Sequence, residues 1–474
     1  MSRIDSLPAL VLVGLALTGV GIAPAGAQTY HDQTYVFGGL GQTVGKNKGG
    51  IYLSTPSGVT TLAVTSEHAF GITTDLDNRS VVFGAQYNGA SSPTGLYAGL
   101  FRVDPATLVV TTLAGPDTLK YVSPGKIEID QDGNYLFGCT TRVGTGPTST
   151  LSDALFRLDR NGRLTTVLPP GQLNTLPTWA WQLCKNIDTG HWLVATLGRL
   201  GTLNGPIFEV SDGGSVSTWH RGGKVGWTPR PWDGFEQDHQ NGSIIGLANG
   251  MGGAYLLRMA QDEPDPVLLG VAVPSGPGVQ TASWGSALDL QTAPTKRWIN
   301  YGANIVPVME NFILTMDHQT CVYSQRKIPF GANQFTNPIG GLAIHGRRHI
   351  QTLRTGPHRW SILLSCPRSP GYSYLVAAGV SGVRPGVALV DGRRINLRPD
   401  PLVLATVRGA IPGLWNPGPG VLNARGEARG EIDLTGTGRG PAGFGQPLWL
   451  AMVVLDPAAP LGIRYLPDTY VMRL

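Results

Sequence analysis

The sequence predicts an all-β chain, and three observations carry the prediction. One pattern of four short strand-like runs recurs six times, at a spacing of roughly fifty residues. Gly and Pro are plentiful, at 66 and 36 of 474 residues, which suits short strands joined by turns that need a positive or a fixed φ. Charged residues make up only 14%, against about 25% in an ordinary globular domain. Apolar runs lie between the turns along the whole length, so the Gly and Pro excess reflects architecture and not disorder. The net charge of +5 is small for this length, and no Lys/Arg cluster interleaves with aromatics, which sets nucleic-acid binding aside.

The first run of most repeats ends in a small residue: Val36-Phe37-Gly38-Gly39, Val81-Val82-Phe83-Gly84, Tyr135-Leu136-Phe137-Gly138 and Trp192-Leu193-Val194-Ala195, then Ile244-Ile245-Gly246-Leu247 and Trp298-Ile299-Asn300-Tyr301. A second run follows, as in Leu100-Phe101-Arg102-Val103, Leu155-Phe156-Arg157-Leu158 and Ile207-Phe208-Glu209-Val210. After a turn comes a third, as in Val59-Thr60-Thr61-Leu62 and Val110-Thr111-Thr112-Leu113. Innermost runs begin near Gly71, Lys126, Gln182, Gly234, Ala287 and Gly341. Small sheets that repeat in this way and cannot bury their own faces define a β-propeller. The chain opens with three outer runs and supplies the last inner run at the end. A six-bladed β-propeller with three-plus-one closure uses every run and hides the sheet edges; seven blades is the alternative.

Gly50-Ile51-Tyr52-Leu53 through Val59-Thr60-Thr61-Leu62-Ala63, and Ile127-Glu128-Ile129-Asp130-Gln131-Asp132-Gly133-Asn134-Tyr135, resemble repeats of the secreted six-bladed NHL and streptogramin-lyase-like propellers. The resemblance covers about residues 30 to 350. It implies the fold; that superfamily holds lactonases, lyases and pure binding modules, and no local motif here matches the catalytic His/Glu set of the lyases. Fold does not imply function.

Beyond Leu353 the character changes. Thr355 to Leu474 contains many Arg and no Lys. Trp360-Ser361-Ile362-Leu363-Leu364, Tyr374-Leu375-Val376-Ala377-Ala378 and Leu448 to Val454 read as short strands between Gly- and Pro-rich turns, predicting a C-terminal β-sandwich domain. Leu455 to Ile463, with Gly386 through Asp400, resembles a β-rich module at the C-terminus of exported proteins of environmental bacteria, for which no activity is established. The expected division is a signal peptide over 1–27, the propeller over 28–354 and the sandwich over 355–474.

The signal peptide rests on Arg3, the apolar stretch Leu7 to Ala23 and the small-x-small site Ala25-Gly26-Ala27 before Gln28. No later stretch is long and apolar enough to span a bilayer. The expected protein is a monomer, secreted or at the periplasmic or cell surface. In an oxidising compartment Cys139, Cys184, Cys321 and Cys366 are compatible with one or two disulfides, Cys139–Cys184 being geometrically conceivable, and equally with four buried thiols. Their spacing matches no zinc or redox motif.

Ligands of propellers bind over the channel, where the last strand of one blade hands over to the inner strand of the next. Every such connection carries a ring: His68 and Phe70, Tyr121, Trp179 and Trp181, Trp227 and Trp232, Trp284, Phe335. Rings there either stack on a ligand or wedge between blades. The candidate ligand-binding set is Trp179, Trp181, Trp227, Trp232, Trp284, His68 and Tyr121. Glu128, Asp130, Glu236, Asp238, His239 and Asp289 lie on or beside inner strands, where oxygen ligands could hold a divalent metal; near hairpins, Asp equally serves as a turn device. No cofactor is implied, and no nucleophile elbow, His-Glu-x-x-His pair or phosphate loop occurs. Two functions follow: a non-catalytic binding protein for a glycan, peptide or surface protein, or a metal-assisted lactonase- or lyase-like enzyme. The aromatic connections favour the first.

Overall fold

The computed structural model describes residues 34–41, 49–65, 69–85, 99–119, 123–143, 150–173, 182–195, 206–222, 232–250, 253–274, 280–289, 297–306, 310–317, 323–328, 336–337, 342–409, 411, 415–416, 418–435 and 445–474. Small antiparallel sheets, mostly of four strands, follow one another in chain order, as in a β-propeller. Inner strands run over Ala69–Thr74, Ser123–Ile129, Gln182–Lys185, Trp232–Gln237 and Gln280–Asp289, where the sequence puts them. Leu342–Ile344 returns to the start of the chain and pairs with Tyr35–Gly41, setting Tyr35 opposite Ile344 and Phe37 opposite Leu342. Neighbouring inner strands touch one another, from Leu342–Ile344 to Ala69–Thr74 and onward to Gln280–Asp289.

The strands read as continuous apolar runs because both of their faces are buried. In Val81–Ala85, Val81 and Phe83 pack with Val36 and Ile51 of the preceding sheet, while Val82 packs with Ile127 and Phe137 of the following one. The same local device recurs in sheet after sheet. The pairing of the two outer strands shifts register between Ile51 and Tyr52, Leu100 and Phe101, Leu155 and Phe156, and Ile207 and Phe208, with the extra residue on the outermost strand. A bulge adds twist, which lets each sheet turn edge-on to the axis. Near the axis the inner strands crowd: Gly71 has φ +56°, and a Cβ there would lie 1.6 Å from the Gly125 carbonyl oxygen, so only Gly fits.

From Ile350 onward the chain builds two further antiparallel sheets. One orders Ile350–Gly356, Arg359–Ser365, Glu427–Asp433 and Trp415–Asn416; the other orders Gly420–Val421, Ser373–Gly379, Pro447–Leu455 and Ile463–Tyr465, with Tyr470–Arg473 also on Pro447–Leu455. Trp360, Ile362 and Leu364 of the first meet Val376, Leu450 and Met452 of the second in one buried cluster. Ile350–Gly356 runs through the division expected at 354/355 and pairs with Arg359–Ser365, so by strand pairing this region begins before Thr355. It also contains a helix, Pro401–Val407, that the all-β reading lacked. Asp400 caps it by accepting from Val403 N at 2.9 Å, Pro401 occupies the first turn, and Gly409 follows it with φ +66°.

The conceivable Cys139–Cys184 disulfide is not formed. Cys139 packs with Ile127, Phe137 and Leu158, whereas Cys184 packs with Leu193 and Phe235 in a different layer between sheets. Cys366 is buried in the C-terminal core and forms no disulfide with either. Cys321 and the expected signal peptide lie outside the described residues.

The C-terminal region docks on the hairpins that leave the inner strands. Trp449 Nε1 donates to the Ile187 carbonyl at 2.6 Å, Gln351 Nε2 to that of Leu76 at 2.9 Å, and Thr352 Oγ1 to that of Gln131 at 2.7 Å. Arg473 donates its backbone N–H to Gln131 Oε1 and its guanidinium to the Thr189 carbonyl, each at 2.6 Å, and Arg384 pairs with Asp188. These bonds satisfy turn carbonyls that would otherwise depend on water. One end of the channel is therefore covered by residues distant in sequence.

Candidate functional site

The channel takes its chemistry from alternate residues of the inner strands, since side chains two apart share a face. Lys126 and Glu128 come from one strand, Lys185 from the next and Glu236 from the one after. Arg347, Arg348 and Asp468 reach in from the covering region. With His239 and Tyr470 they line a cavity of about 200 Å³.

Most of these charges are paired. Lys126 Nζ lies 3.3 Å from Glu236 Oε1 and 3.6 Å from Glu128 Oε1. Arg347 bridges Glu236 at 3.5 Å and Asp468 at 3.0 Å. Arg348 donates to Glu128 Oε2 at 2.9 Å and to Thr73 Oγ1 at 2.6 Å. Burial alone would raise the Glu236 carboxyl, but Lys126 and Arg347 outweigh it and hold Glu236 below its usual range. Burial would likewise lower Lys126, yet Glu236 and Glu128 keep it above its usual value. The network is thus ionised, and it clamps the covering region to the inner strands.

Lys185 differs. Its Nζ stands 4.9 Å from the centroid of the Trp192 ring and 5.6 Å from that of Tyr470, with no carboxylate in ion-pair distance among the described residues. Burial pushes its ammonium down, and the carboxylates of Asp212 and Asp130 only partly offset that. Ring faces stabilise a cation by roughly 0.5–2 kcal/mol each, less than water or a counter-ion gives it. His239 is also pushed down by burial, and its Nδ1 is buried without a hydrogen-bond partner among the described residues.

Of the expected metal ligands, the structure brings Glu128, Glu236 and His239 to the channel and turns Asp130 and Asp238 away. Asp130 Oδ1 accepts from Asp132 N at 2.9 Å and Asn134 N at 2.8 Å, and its Oδ2 meets Arg157 Nε at 2.8 Å. Asp238 accepts from Gln240 N at 2.8 Å. Both are turn devices. Glu128 and Glu236 are bound to Lys and Arg, and no three potential ligands converge on one point among the described residues. The side chain of Asp289 lies outside them.

Trp179, Trp181, Trp227, His68 and Tyr121 also lie outside the described residues. Trp232 and Trp284 are placed by their backbones alone, opposite Ala248 and Tyr301, each immediately before a bulge of its inner strand. Sequence reasoning missed Lys185, Arg347, Arg348 and Asp468. The inner run that begins at Gln182-Leu183-Cys184 continues to Lys185 in the structure, and strand alternation is the signal that points to Lys185.

No protein-family model matches the chain, and no curated protein matches it in sequence. Among solved structures it is similar to TolB from Acinetobacter baumannii, at 10% identity and a TM-score of 0.42, over 72% of either chain. It is similar to oligogalacturonate lyase from Vibrio parahaemolyticus, at 11% identity and a TM-score of 0.35, over 67% of this chain and 88% of that one. A calcium-binding protein, regucalcin, from Agrobacterium tumefaciens is similar at 13% identity and a TM-score of 0.35, over 60% of this chain and 88% of that one.

Proposed function

We propose that the chain is an exported, non-catalytic binding protein: a six-bladed propeller with three-plus-one closure that presents its aromatic connections to a glycan, peptide or surface protein, followed by a C-terminal β-sandwich domain. The observation that carries the binding reading is the pairing of the channel carboxylates. Glu128 and Glu236 are committed to Lys126, Arg347 and Arg348, so they offer no open metal position. The pairing of Leu342–Ile344 with Tyr35–Gly41 supports the closure, and the cluster between the two C-terminal sheets supports the sandwich.

The test is binding to a broad glycan and peptide array by the purified chain and by Trp181→Ala and Trp232→Ala. If either ring is a central anchor, its removal costs about 1–3 kcal/mol, roughly five- to a hundred-and-fifty-fold in affinity, with folding retained. Large destabilisation and no bound probe on the array would show that the rings wedge between blades. Export rests on the sequence before Gln28. Amino-terminal sequencing of the natural protein is expected to begin at Gln28, and a chain beginning at Met1 would refute it.

A further inference from the structure

Each carboxylate of the channel cavity has a cationic partner: Glu128 has Lys126 and Arg348, Glu236 has Lys126 and Arg347, and Asp468 has Arg347. Among the described residues the cavity cations exceed these carboxylates by one, and the cation left over is Lys185, whose contacts there are the faces of Trp192 and Tyr470. A second polar group on the same cavity, His239 Nδ1, is buried without a hydrogen-bond partner among the described residues. An ammonium whose close contacts are ring faces, with the carboxylates of Asp212 and Asp130 beyond ion-pair distance, is only partly compensated, and a neutral imidazole beside the same space can offer one further hydrogen bond.

We infer that this end of the channel is a receptor for the carboxylate of a small monoanionic ligand, with Lys185 as the counter-ion. The inference deepens, and rests on, the reading of the propeller as a binding module. Charge balance favours a monoanion. One negative charge neutralises the excess, whereas a dianion such as phosphate would leave a negative charge beside Glu128 and Glu236. Arrival of a carboxylate also removes the penalty that burial now places on the Lys185 ammonium.

The experiment titrates the purified full chain with sodium propionate at constant ionic strength and, in parallel, with neutral propionamide. Thermal midpoint and tryptophan fluorescence are followed, Trp192 lying against Lys185. Propionate is expected to raise the midpoint saturably and change the emission, and propionamide to do neither. Lys185→Met keeps an unbranched stem and removes the charge; it is expected to weaken propionate at least about tenfold, because a charge-assisted contact is lost. Lys185→Arg, which keeps the charge, is expected to retain binding and serves as the readout should the Met variant fold poorly. Equal responses to propionate and propionamide, no saturation, tighter binding of inorganic phosphate, undiminished binding by the Met variant or abolished binding by a folded Arg variant would each overturn the assignment. The broader binding reading would stand or fall separately, on Trp181 and Trp232.

Discussion

Asp75→Ala is expected to destabilise the protein by about 1.5–3 kcal/mol, the cost of removing a buried carboxylate whose guanidinium partners are themselves partly solvated. Asp75 is 3% exposed and closes the hairpin after its inner strand. Its carboxylate meets Arg102 Nε at 2.8 Å within its own sheet, and Arg160 Nη1 at 3.1 Å and the Tyr135 hydroxyl at 3.0 Å in the next. It also accepts from Leu76 N at 2.8 Å. Alanine leaves two guanidinium groups and a phenol facing an empty site where two sheets meet. Asp75→Asn keeps the uncharged hydrogen bonds and should fall between Ala and the parent. The neighbouring Asp77, half-exposed and paired with the same Arg102, should cost no more than about 1 kcal/mol when replaced by Ala. Urea unfolding of the three variants checks the ranking; an Asp75→Ala chain within about 1 kcal/mol of the parent would show that the network is not a structural joint.

That joint also shows what could be read from the residues. Arg102 and Arg157 stand at the same place in their runs, and each reaches the acidic residue at the end of its own inner strand, Asp75 and Asp130. In the next sheet the polarity reverses, with Asn186 Nδ2 donating to Glu209 Oε1 at 2.9 Å. The repeat is therefore electrostatic as well as apolar, and the sequence exposes both because the interacting positions lie within one repeat. The helix after Asp400 carries its own signals in Asp400-Pro401 and Gly409, which the strand pattern around it masks. The channel was not legible. Lys126 and Glu236 are 110 residues apart, and Arg348 and Glu128 are 220 apart, so their pairing follows from ring geometry and from the docking of the C-terminal region. No periodicity marks that docking, because the carbonyls of Ile187, Leu76 and Gln131 belong to backbone that any side chain could carry. Lys185 is hidden for the same reason: its charge is visible, but the absence of a counter-ion is a fact of three dimensions.

Acid is expected to destabilise the C-terminal region steeply, and His349 supplies a large share of the effect. The ring is 2% exposed. Nδ1 lies 2.8 Å from the Ser365 carbonyl, which can only accept, so Nδ1 carries the proton and Nε2 accepts from the Tyr465 hydroxyl at 3.1 Å. Burial pushes His349 down to about 4; the bond to Ser365 and the charge of Asp468 oppose that shift, and Arg347 adds to it. The folded state thus holds the neutral ring, while the unfolded chain takes up a proton near the ordinary value of about 6.5. Stability from this group is complete above the unfolded value and is lost as pH falls from there towards about 4, on the order of 3 kcal/mol in all. His239 and His345, both lowered by burial, act in the same direction. His349→Gln offers a donor and an acceptor but does not titrate. Its stability at neutral pH should be below that of the parent, and its slope across the acid range distinctly shallower. Because every carboxylate titrates alike in the two chains, the difference between their pH profiles isolates the one ring. Parallel profiles would mean that the acid sensitivity arises elsewhere and that His349 takes up its proton equally in both states.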